Sequence, residues 1–219
     1  MRRGEFPGSR YLTAGVEGLY LKHSTIFSAV KSTKSHKKGD RLMVGPALRE
    51  ARMSRNLTQE ALAADYHISS SLIREIEKGR RKLPKDIRPK MARELDDPAL
   101  YLTLAREATG GIGAPYLNRI DDHRLCCVVK FKEEFLEALE CLDRMSPTLV
   151  RASSREQLTP GELADIKVTL NEMIECVTAA QNTVARLAKT YGENIAALWD
   201  EHQEKLIRSG YLEIEKTAP

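Results

Sequence analysis

Aromatic side chains are scarce in this chain of 219 residues, at 5%, and there is a single tryptophan, Trp199. With 30% of residues charged, that balance suits a helix-rich protein better than one built on sheets. Long apolar runs are missing as well. No stretch of eighteen apolar residues occurs, so no membrane-spanning helix is expected. Arg2 and Arg3 precede an apolar segment at residues 11–21, but Glu17 breaks it and no convincing cleavage site follows, which argues against a signal peptide. The four cysteines, Cys126, Cys127, Cys141 and Cys176, have no CxxC spacing and no His-x-x-x-His companion. Buried thiols in a reducing cytosol are therefore expected, with no metal. A phosphate-cradling glycine loop and a nucleophile–base pair are likewise wanting, so neither a cofactor nor catalysis is expected.

What is present is an uneven charge. Residues 1–42 hold nine Lys/Arg against three Asp/Glu, a balance of +6. Residues 43–94 come to +5 and residues 95–219 to −7. A basic front and an acidic rear fit a nucleic-acid-binding module followed by a protein-interaction module. The length allows one or two domains with an ordinary core.

Residues 45–95 organise the rest. Leu48, Ala51 and Met53 mark the inner side of a first helix, and Asn56 suits the left-handed residue that ends it. Thr58 is placed to cap a second helix over residues 59–65, with Ala61, Leu62 and Ala64 facing inward. After a turn at residues 66–68, Ser69 caps a third helix with Leu72, Ile73 and Ile76 as its core face, and Lys78-Gly79 stops it. A basic strip, Arg80, Arg81, Lys82 and Lys85, follows directly. Two helices, a short turn and such a strip describe a helix-turn-helix. Residues 86–95 predict a fourth helix on Ile87, Met91 and Leu95. Asp97-Pro98 opens a fifth, in which Leu100, Leu102, Leu104 and Ala105 pack back.

The stretch LTQEALA, the serines Ser69-Ser70-Ser71 and the closing IREIEKGRRKLP resemble the phage-repressor and Cro-like (Xre) helix-turn-helix domain, over about a quarter of the chain. The turn glycine usual in that family is His67 here, a residue that tolerates a left-handed backbone better than most bulky ones. The resemblance implies a five-helix, lambda-repressor-like domain at residues 43–108. It further implies that Gln59 binds a backbone phosphate, and that Ser70, Ser71 and Glu75 face base edges in the major groove. Arg74 is then placed to reach either a base or a phosphate. By the same resemblance Lys78, Arg80, Lys82 and Lys85, with Arg81 in the same loop, contact phosphates. Arg52 and Glu77 match positions that form an internal ion pair between the first and third helices. Physically, base edges carry the donor and acceptor pattern that a helix reads, while cations on phosphates supply salt-sensitive affinity.

Residues 1–42 read either as a flexible basic arm adding phosphate contacts or as an upstream extension, Met43 serving equally well as a start. Residues 109–119 form a Gly-rich linker whose flexibility predicts that the two halves reorient. Residues 120–219 predict a helical bundle or coiled-coil-like domain, so the whole chain reads as all-α. Its first helix, over residues 121–145, carries Val128, Phe131, Phe135, Ala138, Leu142 and Met145, with a second stripe of Leu125, Val129, Leu136 and Leu139. Ser146-Pro147 is expected to end it. Thr159 caps the next helix, in which Leu163, Ile166, Leu170, Met173, Val177, Ala180, Val184, Leu187 and Tyr191 repeat by threes and fours. Residues 194–208 supply a last helix.

The apolar seam either closes a monomeric bundle or pairs with a second copy, and doubling a helix-turn-helix gives it two half-sites. Together these features predict a cytoplasmic, repressor-like transcriptional regulator that binds double-stranded DNA as a homodimer. The alternative is an interaction module, antitoxin-like, whose helical domain holds a protein partner and whose DNA binding is subordinate.

Overall fold

The computed structural model describes residues 44–118 and 123–213, so the amino-terminal basic segment and Met43 lie outside the described residues. Among them there are eight α-helices, one short 3-10 turn at Arg155–Gln157 and no strand: α1 Val44–Ser54, α2 Gln59–Asp65, α3 Ser70–Glu77, α4 Arg88–Leu95, α5 Pro98–Ala108, α6 Arg124–Arg151, α7 Pro160–Tyr191 and α8 Ile195–Arg208. No described helix is long and apolar enough to cross a membrane.

Helices α1 to α5 close around one core. Leu48, Leu62, Ile73, Ile76, Leu83, Met91 and Leu100 are the largest fully buried side chains described, and all seven lie here. Short polar residues start the helices. The Thr58 side chain accepts the Ala61 N–H, Ser69 accepts that of Leu72, and Asp97 accepts that of Leu100. Asn56 and His67 both take the left-handed backbone, with φ of 55° and 53°. Several expectations need correcting. Met53 is exposed, because the inward side of α1 is carried by Val44, Gly45, Leu48 and Ala51. Ala63 rather than Ala64 faces the core, and Ala105 is exposed. Helix α4 starts at Arg88 instead of Asp86, since Pro89 lacks a backbone donor and fits a first turn.

Helices α6 and α7 form an antiparallel hairpin. Thr183 Oγ1 donates to the Cys127 carbonyl at one end, and Thr148 and Glu162 share a small pocket at the other. The expected stop at Ser146-Pro147 is overturned: α6 runs through Pro147 to Arg151. The lost backbone bond is at an exposed position, and the last turn is held from across the hairpin by an ion pair between Arg151 and Glu162. Thr159 and Glu162 make a capping box at the start of α7. Those hydrogen bonds, the Thr159 backbone N–H first, then Arg151, hold the Glu162 carboxyl down at about 2.

The hairpin interior is small and polar. Cys127, Glu134, Ala138 and Cys141 on α6 are buried with Thr169, Asn182, Thr183, Ala185 and Ala188 on α7. Many of the large apolar side chains stay outside, while Phe131, Leu142, Leu163, Ile166 and Leu187 are half-buried. Leu125, Val129, Phe135, Leu136 and Leu139 are 41–61% exposed, and Leu170, Met173, Ile174, Val177 and Val184 are 39–64% exposed. The second α6 stripe is thus not buried within this chain. At 3.6 residues per turn, Phe135 stands about a quarter turn on from buried Glu134, and Leu170 a quarter turn on from buried Thr169. In antiparallel helices that same forward step carries both side chains to one side of the hairpin. That side is apolar on both helices.

The linker is tied down where the sequence predicts freedom. The Asn182 side chain donates to the Pro115 carbonyl and accepts the Leu117 N–H, both at 2.8 Å, while Arg186 lies 4.8 Å from the Tyr116 ring centroid. The carboxylate of Asp96, itself left-handed at the end of α4, accepts the Ile195 N–H that opens α8. Arg93 grips Asp200 through two bonds of 2.8 Å, and Lys189 approaches the buried Asp97 at 3.7 Å.

Candidate nucleic-acid interface

The site begins with how α3 is held. Its inner side, Ile73 and Ile76, is buried against α1 and α2. Arg52 Nε on α1 donates to Glu77 Oε1 at 2.6 Å, and a second guanidinium nitrogen reaches Oε2 at 3.2 Å. Arg52 also donates to the Leu57 carbonyl at 2.7 Å. Glu77 raises the Arg52 pKa above its ordinary value through this hydrogen bond, against the opposing effect of burial. Gln59 Nε2 donates to Glu77 Oε2 at 2.7 Å. One carboxylate therefore joins the first turn of α2, the last turn of α1 and the last turn of α3. The sequence reading assigned Gln59 to a phosphate and missed this third partner, for no local pattern reports a contact across eighteen residues.

Gly45 has a comparable role. A Cβ there would lie 2.8 Å from the Glu77 carbonyl oxygen and closer still to that of Ile76. Only a glycine lets α1 approach the end of α3 so closely.

The outer side of α3 is open. Ser71 and Arg74 are exposed, Ser70 and Glu75 are partly so, and among the described residues no element packs across them. Ser69 does the capping, which leaves the Ser70 and Ser71 hydroxyls to the surface. Helix α3 ends at Lys78, Gly79 takes φ of 69°, and Arg80, Arg81, Lys82 and Lys85 follow on the surface. Arg80 lies 3.5 Å from Glu75, tying a predicted base reader to a predicted phosphate contact. Lys82 stands 3.8 Å from Glu107 of α5, which Arg88 also holds at 3.2 Å. Arg74, Lys78, Arg81 and Lys85 make no ion pair with the described residues. Ser70, Ser71, Arg74 and Glu75 thus lie on the accessible side of α3. The Arg80 and Arg81 N–H groups donate to the Glu75 carbonyl, which holds the start of the basic loop against that surface, while Lys82 stands by α5 and Gln59 is drawn to Glu77. Such a surface offers short polar groups for base edges beside cations for phosphates.

An all-helical domain with an exposed third helix and a basic loop after it is of the helix-turn-helix class. Residues 45–106 match the family model for a helix-turn-helix domain. A domain of that kind points to a DNA-binding regulator and is typically not enzymatic. No curated protein and no solved structure matches the chain.

Proposed function

We propose that this protein is a sequence-specific transcriptional regulator of double-stranded DNA, repressor-like and of the phage-repressor and Cro-like branch of helix-turn-helix proteins. Helix α3 enters the major groove. Ser70, Ser71, Arg74 and Glu75 meet base edges, and Gln59, Lys78, Arg80, Arg81, Lys82 and Lys85 hold phosphates. The observation that carries this reading is the bare outer side of α3 continuing into an exposed basic loop, on a domain whose inner side is fully packed. Glu75 exchanges Arg80 for a cytosine amino group when the loop closes on a phosphate. The protein's place is with DNA in the cytoplasm.

The regulator works as a homodimer. The apolar side of the α6–α7 hairpin, centred on Leu170, Met173, Val177 and Val184 with partly covered Leu163, Ile166 and Leu187, is what a second copy covers. The same surface favours a second reading, in which a different protein sits there and DNA binding is subordinate. The mass of the purified chain in solution separates them.

Selection of bound fragments from random duplex DNA tests the main reading. A two-fold symmetric site with half-sites about one helical turn apart is expected. Affinity should fall steeply with salt, and Arg80/Arg81/Lys82→Ala should flatten the log–log salt slope by about 0.9 for each phosphate contact removed. Equal binding and an equal slope in that variant would disprove the loop assignment.

A further inference from the structure

One group of side chains takes no part in holding DNA or in the proposed dimer. Glu134 on α6 faces Glu172 and Glu175 on α7 across the hairpin, and one carboxylate oxygen from each of the three lies within 4.8 Å of the other two. The spacing of three residues between Glu172 and Glu175 puts both on one side of α7. Glu134 is only 4% exposed. Lys130, one turn earlier, pairs with its Oε1, but its buried Oε2 has no hydrogen-bond partner. That oxygen belongs to a residue lining a cavity of about 210 Å³, shared with Glu175, Lys130, Cys127, Asn182 and Leu117.

A buried carboxylate oxygen without a donor is costly, and a neighbouring pair of carboxylates adds repulsion. Burial first, and the Glu134 charge next, push the Glu137 carboxyl up. The group needs positive charge that the chain only partly supplies. Three carboxylates and the Lys130 ammonium leave two negative charges.

We propose that Glu134, Glu172 and Glu175 form a binding site for a hard divalent cation, which clips α6 to α7. Hard cations take oxygen ligands at about 2.0 to 2.6 Å, so ligands on opposite sides of one ion stand about 4 to 5 Å apart. The three oxygens, all within 4.8 Å of one another, are close enough to share one such ion. Two positive charges cancel the two left by the cluster, and the unpartnered Glu134 Oε2 becomes a ligand. Lys130 stands in competition with the ion. Its side chain is 42% exposed, so its flexible stem can swing the ammonium into water when the ion enters. The proposal does not depend on DNA binding and is tested without DNA.

The full chain, stripped with chelator, is titrated with Mn²⁺, and the free ion is followed by its paramagnetic resonance signal alongside thermal melting. Wild type is expected to take up one Mn²⁺ per chain and to melt higher with it. Glu172→Gln/Glu175→Gln should lose both effects, yet without metal it should melt at least as high as wild type, because repulsion has been removed. Lys130→Gln should bind Mn²⁺ several-fold more tightly, since its competitor is gone. If wild type fails to retain Mn²⁺ at millimolar concentration, or if the double variant retains it equally, the site is refuted. Unchanged affinity in Lys130→Gln overturns the competition and the placement of the ion.

Discussion

Glu77 is the residue on which the helix-turn-helix is pinned. Its side chain is 4% exposed and accepts from both Arg52 and Gln59, so removing it leaves a guanidinium with 11% exposure and without its hydrogen-bonded counter-charge. Breaking a buried pair from one side costs about 3 kcal/mol or more. Glu77→Ala should lose that much in urea unfolding, and a loss well under 1 kcal/mol would show the pair to be incidental. His67 argues in the other direction. It holds a left-handed backbone at φ of 53° with an exposed side chain, at the position where the resembling family carries glycine. His67→Gly should relieve about 1 kcal/mol of strain, less some unfolded-state entropy, and raise the melting temperature. A lower melting temperature would mean that the imidazole makes a stabilising contact. Both residues were visible in the sequence through the family's pattern. Gln59 as the third partner of the network was not, because it depends on where α2 lies against α3.

At the scale of the elements, short polar caps start most of the helices, and packing carries one of them past its expected stop. Thr58, Ser69, Asp97, Thr159 and Asn194 each accept a backbone N–H at the start of a helix, and each is a short polar residue readable from sequence. Pro147 did not stop α6, since contacts with α7 outweigh one missing backbone bond. The close approach of α1 and α3 rests on Gly45. Gly45→Ala would drive a methyl into the Ile76 and Glu77 carbonyls and should cost about 2 kcal/mol, read by denaturant unfolding. A neutral result would show that α1 can slide. Met53, Ala64 and Ala105 were misplaced on their helices by the sequence reading. Each helix is short enough that an apolar residue at its rim satisfies the periodicity without reaching the core.

The whole molecule divides its apolar residues unequally. The first five helices bury theirs, whereas the hairpin turns small and polar residues inward and many large apolar ones out. The proposed dimer would cover these exposed apolar side chains. The homodimer reading therefore expects the wild-type chain to sediment as two copies at micromolar concentration. Val177→Glu should sediment as one and lose operator affinity while keeping its helical content. A wild-type chain that stays single would transfer the surface to another partner. Polar ties join the two halves: Arg93 with Asp200 at the surface, Asp96 with the Ile195 N–H, and Lys189 with the buried Asp97. Arg93 raises the cost of protonating Asp200, holding its pKa below the ordinary range.

The sequence by itself determined the helices, their capped starts, the left-handed turns at Asn56 and His67, and the basic loop after α3, because each depends on neighbours within a turn or two of the chain. Tertiary structure alone decided which side of α6 and α7 meets the other, that Gln59 serves Glu77, that Asn182 fastens the linker, and that Glu134, Glu172 and Glu175 converge. Those outcomes join residues from eleven to sixty-seven positions apart. A periodic pattern shows that a helix has an apolar side, but not whether its own chain or another molecule covers it.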